Sequence, residues 1–188
     1  IGGANKKKGM RVKKLAELPP AHKAVRDGDV EGLAAALAAN SEAIHEEDAH
    51  GLTPLNWAAK QGRVDMATTL IDAGAVINAD PEDGAPPLLD ACFRGHVDVA
   101  KLLVERGGDA TIREGILGHT CLHKAVDGHH LHVIDWLVTD VGVDVNVADM
   151  RGYTPIALAA AKGFTDVIDL LCSHSANLDS ATNKGTTP

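Results

Sequence analysis

The hexapeptide Thr53-Pro54-Leu55-Asn56-Trp57-Ala58 returns further along the chain as Thr120-Cys121-Leu122-His123-Lys124-Ala125. Around these copies glycines stand at Gly51, Gly84, Gly118, Gly152 and Gly185, at intervals of 33, 34, 34 and 33 residues. From each glycine the chain reads GLTPLNWAAKQG, GAPPLLDACFRG, GHTCLHKAVDGH, GYTPIALAAAKG and GTTP, and a weaker copy, ELPPAHKAVRDG, starts at Glu17. Self-similarity at one fixed period marks a repeat architecture. It predicts five helix pairs in one continuous stack, with no extended sheet.

Each copy carries its own helix signals. Thr53 and Thr154 stand where an N-cap is wanted, with Pro54 and Pro155 at the first helical position, where a missing N–H costs nothing. A short Ala-rich helix then runs to Gly62, Gly95 or Gly163, residues able to adopt the left-handed conformation that ends a helix. A second helix follows with apolar residues at helical spacing: Val64, Ala67, Leu70 and Ile71, then Val97, Ala100, Leu103 and Val104, then Val133, Leu137 and Val138, then Val167, Leu170 and Leu171. It stops at Gly74, Gly107, near Gly142, and at Ser175, and a polar turn projects before the next copy. No copy can bury its own apolar stripe, so each needs neighbours.

On these motifs the chain resembles the ankyrin-repeat family, whose T-P-L-H-x-A signature and 33-residue period it matches over about residues 18–188. The resemblance implies an all-α solenoid of stacked helix–turn–helix repeats with projecting β-hairpin-like fingers. It divides the chain into a basic arm (1–17), a degenerate capping-like repeat (18–47), four repeats (48–80, 81–114, 115–148 and 149–181) and the start of a further one (182–188). Beginning at Ile1 and stopping on a helix-opening Gly185-Thr186-Thr187-Pro188, the sequence reads as a fragment of a longer protein. One extra residue stands in the finger 111–118 and another around 141–144. Gly128-His129 replaces the usual Gln, Arg or Lys followed by Gly.

Composition agrees. The chain is 45% apolar, yet its aromatics are only Phe93, Phe164, Trp57, Trp136 and Tyr153, so the core must be built from Ala, Leu, Val and Ile, which suits thin, closely stacked helices. Lys6, Lys7, Lys8, Arg11, Lys13 and Lys14 give the first fourteen residues +6; with −8 for the whole chain, residues 15–188 carry −14. Phosphates would be repelled by that body, which argues against nucleic acid as its ligand. The basic arm reads either as a solvated tail or as a nuclear-import or anionic-surface patch. No apolar run reaches the roughly 20 residues of a membrane span, and three scattered cysteines point to a reducing, cytoplasmic or nuclear setting.

Little in the sequence suggests chemistry. His119, His123, His129, His130 and His132 cluster, but a zinc site needs ligands that converge tetrahedrally; His119 lies in a finger, and the resemblance makes His123 a helix-capping residue near the motif threonine. Cys92 and Cys172 fall in apolar columns and read as core, as does Trp136. Phosphate-loop glycine motifs are absent, and Asp65, Asp98 and Asp166 fit the first turn of the second helices. We therefore expect no catalytic residue, no metal and no cofactor.

What the resemblance leaves is a binding face formed by the exposed side of the first helices and the finger tips. By position it comprises Trp57, Asp90, Lys124 and Leu158, then Lys60, Phe93 and Asp127, with His50, Glu82, His119, Arg151 and Tyr153 on the fingers. Aromatic and Arg side chains at such a face are the usual anchors of an interface, so Trp57 and Phe93 are expected to be adjacent anchors, with Trp57→Ala costing little stability. A partly buried packing role for Trp57 is the alternative. The expected function is a protein-interaction scaffold or adaptor. The alternative is a regulatory or substrate-recruiting region of a larger enzyme, channel or transferase, in contact with the rest of its own chain.

Overall fold

The computed structural model describes residues 18–79, 86–180, 185 and 187. Among them the elements are α1 (Pro20–Asp27), α2 (Val30–Ala39), a 3-10 turn (Ser41–Ile44), α3 (Pro54–Gln61), α4 (Val64–Asp72), α5 (Pro87–Arg94), α6 (Val97–Glu105), α7 (Cys121–Asp127), α8 (Leu131–Thr139), α9 (Pro155–Lys162) and α10 (Thr165–Ser173). They form five antiparallel pairs. The first helices α1, α3, α5, α7 and α9 stack on one another in chain order and approach more closely than the second helices do. A stack spaced more tightly along one row curves toward that row, so the first helices line the concave side.

Small residues permit the tight row. Ala58 and Ala59 of α3, Ala91 and Cys92 of α5, and Ala125 of α7 are fully buried. Beneath them run two columns of large apolar side chains: Leu55, Leu88, Leu122 and Ile156 on the first helices, and Leu70, Leu103, Leu137 and Leu171 on the second, none more than 1% exposed. Burying such a side chain contributes roughly 1.5–3 kcal/mol. Those of the inner pairs are covered by a neighbouring pair as well as by their own, so the repeats depend on one another.

Two expectations about burial are corrected. Val64 is exposed and Val97 only partly covered, whereas Met66 and Val99 are fully buried. Val64 and Val97 are the first residues of their helices, and side chains there lean back toward the N-terminus, away from the facing helix. Cys172 is exposed rather than core, because α10 is the last described helix and no later described pair lies over it.

The helix ends follow the predicted chemistry. Thr53 Oγ1 accepts from the Asn56 N–H and Thr154 Oγ1 from the Ala157 N–H, both at 3.4 Å. The second helices stop at positive φ: Gly74 at 98°, Gly107 at 94°, Gly142 at 77° and Ser175 at 64°. Val143 N–H reaches back six residues to Leu137 O, where Ala75, Gly108 and Ala176 reach back five; this is where the extra residue of 141–144 is absorbed.

Histidines tie consecutive pairs together. His96 Nε2 donates to Lys60 O at 3.1 Å and His130 Nε2 to Phe93 O at 3.0 Å, so each ring occupies the C-terminus of the preceding first helix. Space for those rings exists only because Gly62 and Gly95 lack a side chain: a Cβ on either would lie 2.6 Å from the ring Nδ1. His129 takes the equivalent glycine's place after α7 and is itself left-handed, at φ 60°. Its ring stacks on Phe164 (centroids 4.1 Å apart) and its Nε2 meets the Asp166 carboxylate at 2.8 Å.

Candidate functional site

The predicted face is laid out along the concave row. Trp57 and Lys60 stand on α3, Asp90 and Phe93 on α5, Lys124 and Asp127 on α7, and Leu158 on α9; all seven are partly exposed. On the fingers His50 and Arg151 are exposed, and His119 and Tyr153 partly so. Glu82 lies outside the described residues.

Charges on this face are paired between neighbouring repeats. Lys60 Nζ stands 3.6 Å from Asp90 Oδ1, and Asn56 Nδ2 donates to Asp90 Oδ2 at 3.3 Å. Lys124 pairs with Glu114, and Lys162 Nζ with Asp127 Oδ1 at 2.5 Å. Burial pushes the Asp90 carboxyl above its ordinary value despite Lys60 and Asn56. The pairs lie along the concave row as positioned, mutually satisfied groups.

The fingers before α3 and α9 share one construction. Asp48 Oδ1 accepts from the N–H groups of His50 and Leu52 at 2.7 and 3.1 Å, and Asp149 Oδ1 from those of Arg151 and Tyr153 at 2.8 and 2.9 Å. Burial alone would raise both carboxyls. The N–H donors, joined by the Trp57 indole at Asp48 and the Arg151 guanidinium at Asp149, hold both below the usual carboxylate range.

The aromatics divide. Trp57 donates its indole N–H to Asp48 Oδ2 at 2.9 Å, meets the His22 ring edge-on at 6.1 Å, and packs against the core. Its indole therefore braces a finger, and where the sequence suggested that Trp57→Ala costs little stability, this packing makes the expected cost about 2 kcal/mol, roughly half that of a fully buried tryptophan. Among the described residues Phe93 is not one of the side chains packed against the core, and it has the Arg94 guanidinium 5.5 Å above its ring. Tyr153 carries the Arg151 guanidinium at 5.0 Å.

The histidine cluster disperses into capping and bridging roles. His123 Nε2 donates to Tyr153 O at 2.9 Å, so its Nδ1 is an acceptor, 3.0 Å from Thr120 Oγ1: the capping role that the resemblance implied. His132 Nε2 donates to Gly95 O at 2.9 Å, and His119 lies parallel to His123 with centroids 5.5 Å apart. Among the described residues no three His, Cys, Asp or Glu side chains converge as a metal set, and no helix is long and apolar enough to cross a membrane. Sequence reasoning missed Ile116, the most exposed large apolar side chain described, at 96%. The available signal was the pair Ile116-Leu117 in an otherwise polar, lengthened finger.

A family model described as ankyrin repeats (three copies) matches residues 4–81, 21–114, 76–149 and 122–188. The chain is 32% identical over 71 residues to BCL-6 corepressor-like protein 1 of Homo sapiens, 36% over 66 residues to transient receptor potential cation channel subfamily A member 1 of Homo sapiens, and 34% over 71 residues to protein phosphatase 1 regulatory subunit 27 of Mus musculus. These stretches are 38%, 35% and 38% of this chain but only 4%, 6% and 46% of the respective relatives, so it spans less than half of each. Ankyrin repeats are generally protein-interaction modules. With helix pairs at the period of the motif and family matches along nearly its whole length, the chain belongs to the ankyrin-repeat family as an all-α repeat solenoid.

Proposed function

We propose that this chain is a non-catalytic scaffold or adaptor that holds a protein partner against its concave face. The observation that carries the reading is Phe93, an aromatic side chain left partly exposed and outside the core on the tightly packed row. It stands among the ion pairs of Lys60, Asp90, Lys124 and Asp127. The groove continues through Trp57 and Leu158 to the finger residues His50, His119, Arg151 and Tyr153, and Glu82 joins them by its place in the repeat. An aromatic anchor rimmed by paired charges is the anatomy of a protein interface.

The test compares three truncations by thermal melt and by binding of the partner that co-purifies with the full-length protein. Phe93→Ala should cost about 2 kcal/mol of binding and under about 1 kcal/mol of stability. Trp57→Ala should lower both, because the indole also braces its finger. Leu103→Ala should cost about 2–5 kcal/mol of stability and affect binding only through it. Undiminished binding by the Phe93 variant would refute the groove.

A second reading is a regulatory or substrate-recruiting region of a larger enzyme, channel or transferase. It is favoured by the similarity to one stretch of a cation channel, 6% of that protein's length, and to a phosphatase regulatory subunit. The full-length sequence distinguishes the two, since a catalytic motif or membrane span beyond the repeats supports the second.

A further inference from the structure

The finger between α6 and α7 differs from its neighbours in length and in what it displays. Glu114 and His119 exchange both backbone hydrogen bonds, at 2.9 and 3.2 Å, in an antiparallel bridge, and Gly115 and Gly118, at φ 65° and 64°, close the turn. The closed hairpin carries Ile116 at its tip, 96% exposed, with Leu117 beside it at 36%. The following finger is bonded to this one. Met150 N–H donates to Leu117 O at 2.9 Å, Arg113 Nη1 donates to Ala148 O at 2.8 Å, and the Met150 side chain is 66% exposed. Three apolar side chains are thus held on two linked fingers, and burying Ile116 would still release nearly its full transfer free energy.

The charges around these side chains are not balanced. Glu114 is paired with Lys124, and Asp149 is enclosed by its own finger and Arg151. Arg113 is held by the carbonyl oxygens of Gly118 and Ala148 and has no carboxylate partner among the described residues. The named groups therefore leave one positive charge beside Ile116. The acidic body does not cancel it, because the Debye length at physiological salt is about 8 Å and the nearest charges set the local potential.

We propose that Ile116, Leu117 and Met150 form a docking patch for an amphipathic segment of a partner protein whose apolar side chains are flanked by carboxylates. Those carboxylates meet Arg113, whose planar guanidinium group suits bidentate pairing. The proposal rests on the protein-interaction reading and deepens it by placing an anchor on the fingers, separate from the Phe93 anchor on α5.

The test uses the whole chain and two synthetic helical peptides sharing one leucine stripe, flanked by glutamates in one and by lysines in the other, with binding read by fluorescence anisotropy at physiological salt. The glutamate peptide should bind at least about tenfold more tightly than the lysine peptide. Ile116→Ser combined with Met150→Ser should weaken it by about tenfold or more with an unchanged thermal melt. Arg113→Gln should weaken it by about fivefold and flatten its salt dependence, and Phe93→Ala should leave it intact. Equal or tighter binding of the lysine peptide, or wild-type affinity in the double serine variant, overturns the proposal. Loss of binding in Phe93→Ala alone overturns it while leaving the groove standing. Self-association of the wild-type chain that the double serine variant abolishes also overturns it, since the occupant would then be a second copy.

Discussion

Replacing Gly95 by alanine tests how one repeat is locked to the next. Gly95 ends α5 at φ 78°, where an alanine costs roughly 1–2 kcal/mol of backbone strain. Its Cβ would also fall 2.6, 2.7 and 2.8 Å from Nδ1, Cε1 and Cγ of His130, the ring that donates to Phe93 O. The ring must move, and losing its hydrogen bond adds about 0.5–1.5 kcal/mol, for a total of about 1.5–3.5 kcal/mol. Gly163 is the internal comparison: it has nearly the same φ, 73°, but no described residue within 4 Å of the added carbon, so Gly163→Ala should cost only the strain. Urea melts followed by circular dichroism would measure both variants. In a His130→Ala background the cost of Gly95→Ala should fall to that of Gly163→Ala, because the ring is gone. An undiminished cost in that background would refute the interlock, leaving backbone strain as the whole effect.

Two further predictions concern the motif histidines. His22 donates Nε2–H to Leu52 O at 2.7 Å, but its buried Nδ1 has no partner among the described residues, since Pro19 stands where the motif has threonine. Pro19→Thr should gain about 1 kcal/mol, the cap and the satisfied nitrogen outweighing the about 0.4–1 kcal/mol from loosening the unfolded chain; a lower melting temperature would show that the motif geometry does not transfer. Burial first of all holds His119, His123 and His130 below the ordinary histidine pKa. Their unfolded forms therefore take up protons first, and the stability they contribute is complete above about pH 6.5 and declines as pH falls toward the folded values. For fully buried His123 the slope is at most about 1.4 kcal/mol per pH unit. Asp48 and Asp149, held low, add a second loss below about pH 4, which the raised Asp90 partly offsets. His123→Asn, copying the capping side chain of Asn56, should flatten the upper limb of melting temperature against pH. A profile level from about pH 7.5 to 5.5 would contradict the assignment.

The fold was legible because its cause is repetition: Gly51, Thr53, Pro54 and their later copies carry the turn, cap and first-turn chemistry openly, and the period between them counts the pairs. The one-residue insertions were legible as shifts of that period. Burial within a helix was less so, since Val64 and Met66 are both apolar and only the facing helix decides between them. The packing of Trp57 was hard to read for a related reason. Its column holds Asp90 and Lys124 in later repeats, which suggested solvent, but its indole reaches an aspartate of its own finger, a contact that a comparison of columns does not contain. The histidine staples were hidden because their acceptors are backbone carbonyls about one repeat away. Ile116 escaped because finger length was read as a perturbation of the stack and not as a platform.

Amide hydrogen exchange on the full-length protein, free and bound to its co-purified partner, tests the central claim most directly. The account predicts that binding slows exchange in the fingers around His50, His119 and Tyr153 and at the N-terminal turns of α3, α5 and α7, while α4, α6, α8 and α10 keep their free-state rates. Protection confined to those second helices would place the partner on the convex side and contradict the account.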